Sequence, residues 1–445
     1  MGVSFIRRRA LRSGSISCNV SCSSEAWARL PVSASFLKSA GLYAAASVVN
    51  GALPFLLLPV LTRYMSPTDY ALTVMFTTTA AFLLPVAGVN LHGAVNVRYF
   101  QDTGQPFSRY ISTCCIIVAV STLTVLAMVL AAHSLLTELT GLPATWLAIA
   151  TLFAAGQALV QVRLVCWQAA ETPLPYVAFQ LGTAVLTTLM TVLLVVLLGA
   201  GWQGRTSAQF AVMLAFATLG LLLLKRQKLL PRQFDRHDAR DALAYGLPLI
   251  PHSIGALLIA MSDRVIVASK LGLHEAGVYA AGMQVGLITS LLGEAFNRAY
   301  GPWLYGQLAQ DDLEVRRGVV RFTYLYFGAA LFVGIAIGLT APIFATFLIS
   351  PTYGDASGYA FWISLGGAFQ GMYYMVGLLI AFARKTHWLA LVTIVGGLVN
   401  VPLTLLLLET NGAIGAAQSY AIIQGLFFLA TWLLSTWVYP MPWLR

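Results

Sequence analysis

Asn50-Gly-Ala-Leu-Pro-Phe-Leu-Leu-Leu-Pro-Val-Leu-Thr-Arg-Tyr-Met-Ser-Pro-Thr-Asp-Tyr70 is an apolar run that stops at Arg63 and turns before Asp69. Its apolar character starts near residue 41. The run 41–62 therefore matches the roughly 20 residues that cross a bilayer's hydrocarbon at ~1.5 Å rise each. Working outward, eleven further runs fall near 72–97, 110–132, 143–166, 175–199, 208–224, 243–269, 277–297, 321–341, 355–382, 387–408 and 413–438. The run 208–224 is short for a span, but dropping it would put every later loop on the wrong side. Composition agrees, with 58% hydrophobic and 9% charged residues where a globular chain carries about 25% charged. The expected class is an all-α integral membrane protein of about twelve transmembrane helices, in two six-helix lobes related as parallel repeats. The expected bounds are a basic cytoplasmic tail at 1–40, a lobe at 41–224, a basic linker at 225–242, a lobe at 243–438 and a short tail at 439–445.

The net charge of +10 does not point to nucleic acid, because the basic residues sit in short tracts between apolar runs and read as topology signals. With the N-terminus cytoplasmic, 22 of the 26 Lys and Arg fall on the cytoplasmic side. Arg63, Arg205 and Lys270 fall on the other side, and Arg264 lies within a helix. Both termini are then cytoplasmic. The first 38 residues hold Arg7, Arg8, Arg9 and Arg12 without an apolar h-region or cleavage site. They read as a basic tail, or as a start placed too early, rather than as a signal peptide. Cys18, Cys22, Cys114, Cys115 and Cys166 have no metal-binding or disulfide spacing, and no cofactor is expected. The outer loops are short, which disfavours a membrane polysaccharide polymerase or ligase.

The two halves echo one another. Arg63 is followed by Asp69 at the start of the second helix, and Lys270 by Glu275 at the start of the eighth. Pro54 and Pro59 fall in the first helix and Pro248 and Pro251 in the seventh, where proline removes an i to i−4 hydrogen bond. Interrupted helices in corresponding positions of two halves point to a substrate site. Helices one and seven are thus the expected walls of a central cavity.

The stretch Asn50 to Tyr70 resembles the first-helix signature of polysaccharide-biosynthesis oligosaccharide flippases, the Wzx-like members of the multidrug/oligosaccharidyl-lipid/polysaccharide exporter superfamily. Tyr245-Gly-Leu-Pro-Leu-Ile-Pro-His252-Ser with Ser262-Asp263-Arg264 is similar too, as is Ala295-Phe-Asn-Arg-Ala-Tyr-Gly-Pro-Trp-Leu-Tyr305. Ala71 departs from the Gly usual in that family. The resemblance covers the chain from about residue 40. It implies V-shaped paired lobes in a bacterial inner membrane that move a polyprenyl-pyrophosphate-linked oligosaccharide to the outer leaflet by alternating access. The implied partners are that lipid-linked glycan and the bilayer, with other polysaccharide-assembly proteins as candidates. A cation-coupled drug or metabolite antiporter of the same superfamily is the alternative.

Ionisable residues inside spans are functional candidates by default. Asp263 and Arg264 are helix neighbours without a charged i±3 or i±4 partner, so their partners lie elsewhere. Arg264 either lines the cavity or snorkels to the interface, which is roughly 8 Å away. Glu294 and Arg298 stand at i and i+4 and can pair locally. Arg98 and Arg298 end the second helix of each half, where they either anchor topology or meet a pyrophosphate. Asn50, His92 and His252 either bind sugar hydroxyls or bond between helices.

Overall fold

The computed structural model describes residues 34–101, 106–231, 233–308, 310, 312–354, 356–383 and 385–443. The leader with Cys18 and Cys22 lies outside them. Among the described residues the chain is helical, without strands. The first half comprises α1 (Ala34–Tyr64), α2 (Pro67–Ala87), α3 (Leu91–Phe100), α4 (Phe107–Ala131), α5 (His133–Thr140), α6 (Ala144–Ala169), α7 (Pro173–Val192) and α8 (Gly201–Arg226). The linker helix α9 (Arg236–Gly246) leads into α10 (Leu249–Leu271), α11 (Leu273–Gly286), α12 (Ile288–Leu308), α13 (Leu313–Leu348), α14 (Ser357–Phe382), α15 (Thr386–Asn411) and α16 (Ala413–Val438). Ten helices are long and apolar enough to cross a membrane, or eleven when α11 and α12 count as one bent span. The 31-residue α1 takes up the first apolar run.

Local chemistry sets the helix ends. The Ser66 hydroxyl accepts the Asp69 N–H at 3.1 Å, Pro67 occupies the first helical position and Asp69 the first turn of α2. This is the cap, the preset φ and the acid that a helix N-terminus favours. At α9 the Asp235 carboxylate accepts the His237 and Asp238 N–H groups at 2.9 and 3.0 Å.

The interruptions fall only in part where the prolines suggest. Pro54 and Pro59 lie inside an unbroken α1. The run expected at 72–97 splits between α2 and α3, where Val89 and Asn90 adopt φ of 48° and 49°. In the second half, α11 and α12 meet at a bend of 41°. The second and eighth spans are therefore broken at corresponding positions, while the first is not. The expected seventh run is interrupted where its proline predicts, because Pro248 separates α9 from α10. The α2–α3 break is met by a tertiary contact. Gly246 packs onto Val89 so closely that a Cβ there would stand 2.0 Å from the Val89 carbonyl oxygen.

The helices of each half pack mainly among themselves, and α2 crosses α10 and α11 along the seam between halves. At the end of the bundle carrying Arg63 and Lys270, the halves are sealed. Thr62 donates to the Leu348 carbonyl at 3.4 Å and accepts the Ser350 N–H at 3.2 Å. The Tyr353 hydroxyl donates to the Met65 and Ser66 carbonyls at 3.1 and 3.2 Å, and its ring meets Tyr70 edge-on. Beneath this, Leu58, Leu61, Tyr70 and Ala281 are buried. Gly277 lies so near Pro67 that a Cβ would overlap the Pro67 carbonyl. At the opposite, basic end, the ties run between the linker and the first half. Asp238, whose side chain is 1% exposed, meets Arg109 at 2.9 Å and Arg98 at 3.6 Å. Asp235 meets Arg109 at 3.4 Å, and Tyr110 donates to Asp241 at 2.9 Å.

Candidate functional site

Two polar cavities lie between the halves, on the basic side of the seal. The larger, about 490 Å³, is walled by α2, α3 and α6 of the first half and by α10 of the second. It holds His92, Asn90, Gln161, His252 and Ser253. The α2–α3 break turns Asn90 toward α10, where its amide donates to the Ser253 hydroxyl at 3.3 Å. The Nδ1 atom of His252 is buried without a hydrogen-bond partner among the described residues. A neutral, donor-and-acceptor lining of this kind suits hydroxyl-rich groups.

The second cavity, about 200 Å³, lies between α1 and α7 on one side and α12 on the other. It is lined by Asn50, Gln180, Glu294 and Arg298. Glu294 and Arg298 pair at 2.6 Å, with side chains 48% and 43% exposed. An exposed pair of this kind contributes little to stability, so the guanidinium can exchange partners at low cost. The Oε1 atom of Gln180 is buried and unpartnered among the described residues. Both cavities are thus flanked by a broken span, at Asn90 and at the α11–α12 bend.

Asp263 and Arg264 lie deeper toward the seal. Asp263 is 2% exposed and accepts the Tyr279 hydroxyl at 2.5 Å. Arg264 is partly exposed, with its Nε 3.3 Å from the Met283 sulfur, and it forms no ion pair among the described residues. Its helix α10 packs against α2 of the first half, so Arg264 lies close to the inter-half seam.

Arg98 lies apart from both cavities. It is 6% exposed, paired with Asp238 and placed 5.1 Å from the Tyr110 ring centroid. Above the seam, Thr78, Leu83, Leu258, Ser262 and Ile266 line a third, apolar cavity of about 310 Å³. Asn400 on α15 holds this region together by donating to the Leu258 carbonyl at 2.7 Å and the Ser262 hydroxyl at 2.9 Å. Gln161, Gln180 and Asn400 escaped the sequence reading. Their only signal was an amide within an apolar run.

With this geometry in place, a family described as polysaccharide biosynthesis proteins matches residues 36–305, more than half of the chain. The chain belongs to that family. Two similar proteins of Haemophilus influenzae are described as an uncharacterized membrane protein and as Lsg locus putative protein 1. The first is 23% identical over 292 residues, covering 63% of this chain and 68% of the relative. The second is 24% identical over 290 residues with the same coverage. Among solved structures, the lipid II flippase MurJ in an inward closed conformation matches with a TM-score of 0.70 at 15% identity, covering 88% of this chain and 87% of that one. An inward-facing multidrug resistance MATE family transporter of the MOP superfamily matches with a TM-score of 0.63 at 15% identity, covering 88% and 94%. At such identity these likenesses establish the fold, the two-lobed helical architecture of that superfamily. The chain is a multi-pass membrane protein of a polysaccharide-biosynthesis family and shares the fold of those solved structures.

Proposed function

We propose that this protein moves a polyprenyl-pyrophosphate-linked oligosaccharide from the cytoplasmic to the outer leaflet of a bacterial inner membrane by alternating access, without catalysing a reaction. The reading is carried by the paired cavities between halves, which offer unsatisfied neutral polar atoms and a displaceable Glu294–Arg298 pair on the basic side of a closed seal. A pyrophosphate and its glycan cannot cross hydrocarbon unaided. In this scheme His92, His252 and Asn50 meet sugar hydroxyls, and Arg298 meets the pyrophosphate at loading. Arg264 draws that charge toward the seam as the seal opens, while Asp263 fixes α10 against α11. Arg98 acts through the linker clamp, outside the cavities.

The deciding experiment is translocation of a defined lipid-linked oligosaccharide in vesicles containing the purified protein and no polymerase. Time-dependent appearance of the glycan on the far leaflet is expected. Export of an organic cation with no movement of the glycan would replace this reading with the antiporter. Orientation is tested by single cysteines near Gln203 and Thr352, which should react with an impermeant reagent from outside. Cysteines near Gln233 and Gln310 should not, and equal labelling at all four would remove the sidedness assigned here.

A further inference from the structure

At the basic end of the second half, apart from the cavities, the segment after α16 folds back over the start of α13. It encloses a cavity of about 550 Å³ lined by Arg316, Arg317, Thr436, Met441 and Trp443, with Leu313 and two prolines. The fold-back is specific. Tyr324 donates to the Trp443 carbonyl at 2.9 Å, Arg316 reaches the Tyr439 hydroxyl at 3.4 Å, and the Arg316 guanidinium lies 5.3 Å from the Tyr439 ring centroid.

The chemistry of this cavity is one-sided. Among the described residues its lining contains two arginines and no carboxylate. The indole N–H of Trp443 is buried and has no acceptor among the described residues. An N–H can only donate, so it calls for an acceptor that the described residues do not supply. Glu314 pairs with Arg317 at 2.5 Å from the rim, but it is 74% exposed, and such a pair is readily given up for a better-placed anion. One helical turn further, Arg321 is exposed on the same face of α13, at i+4 from Arg317. That face then becomes apolar, with Leu325 and Phe332 about 70% exposed. A charged, donor-rich pocket above a strip of apolar surface has the polarity of a phospholipid, with its headgroup at the interface and its chains below.

We propose that this groove is a binding site for an anionic diacyl phospholipid of the leaflet at the basic end. Its phosphodiester is held by Arg316, Arg317 and the Trp443 indole, with the Arg321 charge beside it, and its acyl chains lie along Leu325 and Phe332 of α13. The proposal rests on the orientation given above, which places the basic end at the cytoplasmic leaflet, where basic pockets between helices recognise acidic headgroups. The site is separate from the transport cavities, and its occupant holds the fold-back segment against α13.

The test is lipid binding by the purified full-length protein, read by native mass spectrometry and by thermal shift, with phosphatidylglycerol, cardiolipin or phosphatidylcholine as the added lipid. Preferential retention of the two acidic lipids, with a raised midpoint, is expected. In Arg317→Gln/Arg321→Gln that preference should weaken roughly thirtyfold, at about fivefold per arginine. Arg226→Gln, which removes a basic-end charge elsewhere, should leave it intact, and equal lipid-free unfolding midpoints show that the variants are folded. Equal retention of phosphatidylcholine overturns the proposal. So does displacement of the acidic lipid by a polyprenyl pyrophosphate of equal affinity, which would make the groove part of the substrate path. Binding is measured without transport, so failure of the flippase reading would leave this result standing.

Discussion

The two ends of the bundle are held in different ways. At the Arg63 end, direct hydrogen bonds and buried aromatic contact join one half to the other through Thr62, Ser350, Tyr353 and Tyr70. At the basic end, the strongest ties join the linker helix to the first half through Arg98, Arg109, Asp238 and Asp241. The second half then begins beyond Leu247 and Pro248, outside that clamp. The seal is built from neutral hydrogen bonds, each contributing about 1 kcal/mol net, so it can open and reform. The clamp uses a nearly fully buried carboxylate between two guanidinium groups, an arrangement that is expensive to break. On the alternating-access reading proposed above, such a protein would rock by opening its seal while its linker stays attached to one half.

The largest expected effect comes from preventing the seal from opening. A disulfide formed in Thr62→Cys/Ser350→Cys should arrest translocation fully, and reduction should restore it, while substrate binding from the basic side is retained. Undiminished transport with complete cross-linking would remove the rocking scheme. Next, Arg264→Ala should lower transport per folded molecule by roughly tenfold or more, in line with the ~1.5–3 kcal/mol of a charge-assisted hydrogen bond. Arg264→Lys should keep part of that activity, because an ammonium retains the charge but loses the planar fork. Full specific activity in both variants would make Arg264 an anchor.

Breaking the clamp should act on stability instead. Asp238→Asn leaves Arg98 and Arg109 undercompensated and should cost about 3 kcal/mol of folding stability, seen as a lower unfolding midpoint with transport per folded molecule little changed. A large loss of specific activity at unchanged stability would show that the clamp belongs to the transport cycle. Gly277→Ala places a methyl group against the Pro67 carbonyl, and overpacking of this kind costs about 1–3 kcal/mol. Here the shift should favour the open seal, detected as greater labelling of a cysteine at Thr62 than in the unsubstituted background.

The smallest effect is a pH dependence. The Asp235 carboxyl is held below its ordinary value of 3.8, chiefly by the Asp238 N–H it accepts and then by Arg109. A depressed folded pKa gives stability that is fully present above the ordinary value and lost as pH falls through the depressed one. Proteolysis of the segment 227–235 should therefore be unchanged from neutral pH down to about 5 and should rise below about 4. Asp235→Asn should remove this dependence.

Some of this organisation was legible in the residues. Long apolar runs, Pro54 and Pro59 notwithstanding, could only be spanning helices, because the free energy of leaving water adds up along a segment regardless of its neighbours. The contrast between a basic and an Arg-poor end was equally local, since it is a count of charges between runs. The i, i+4 pairing of Glu294 with Arg298 followed from helix geometry and is found at 2.6 Å. Tertiary structure decided the rest. The break at Val89 has no proline, and the Gly246 that packs against its carbonyl comes some 150 residues later in the chain. Arg98 reads like Arg298 in the sequence, each closing the second helix of its half. One is buried against Asp238 of the linker while the other faces a cavity opposite Asn50. Transfer energies belong to single residues and can be read one at a time, whereas a hydrogen bond, a clash or an ion pair exists only once two distant segments are fixed within a few ångströms of each other.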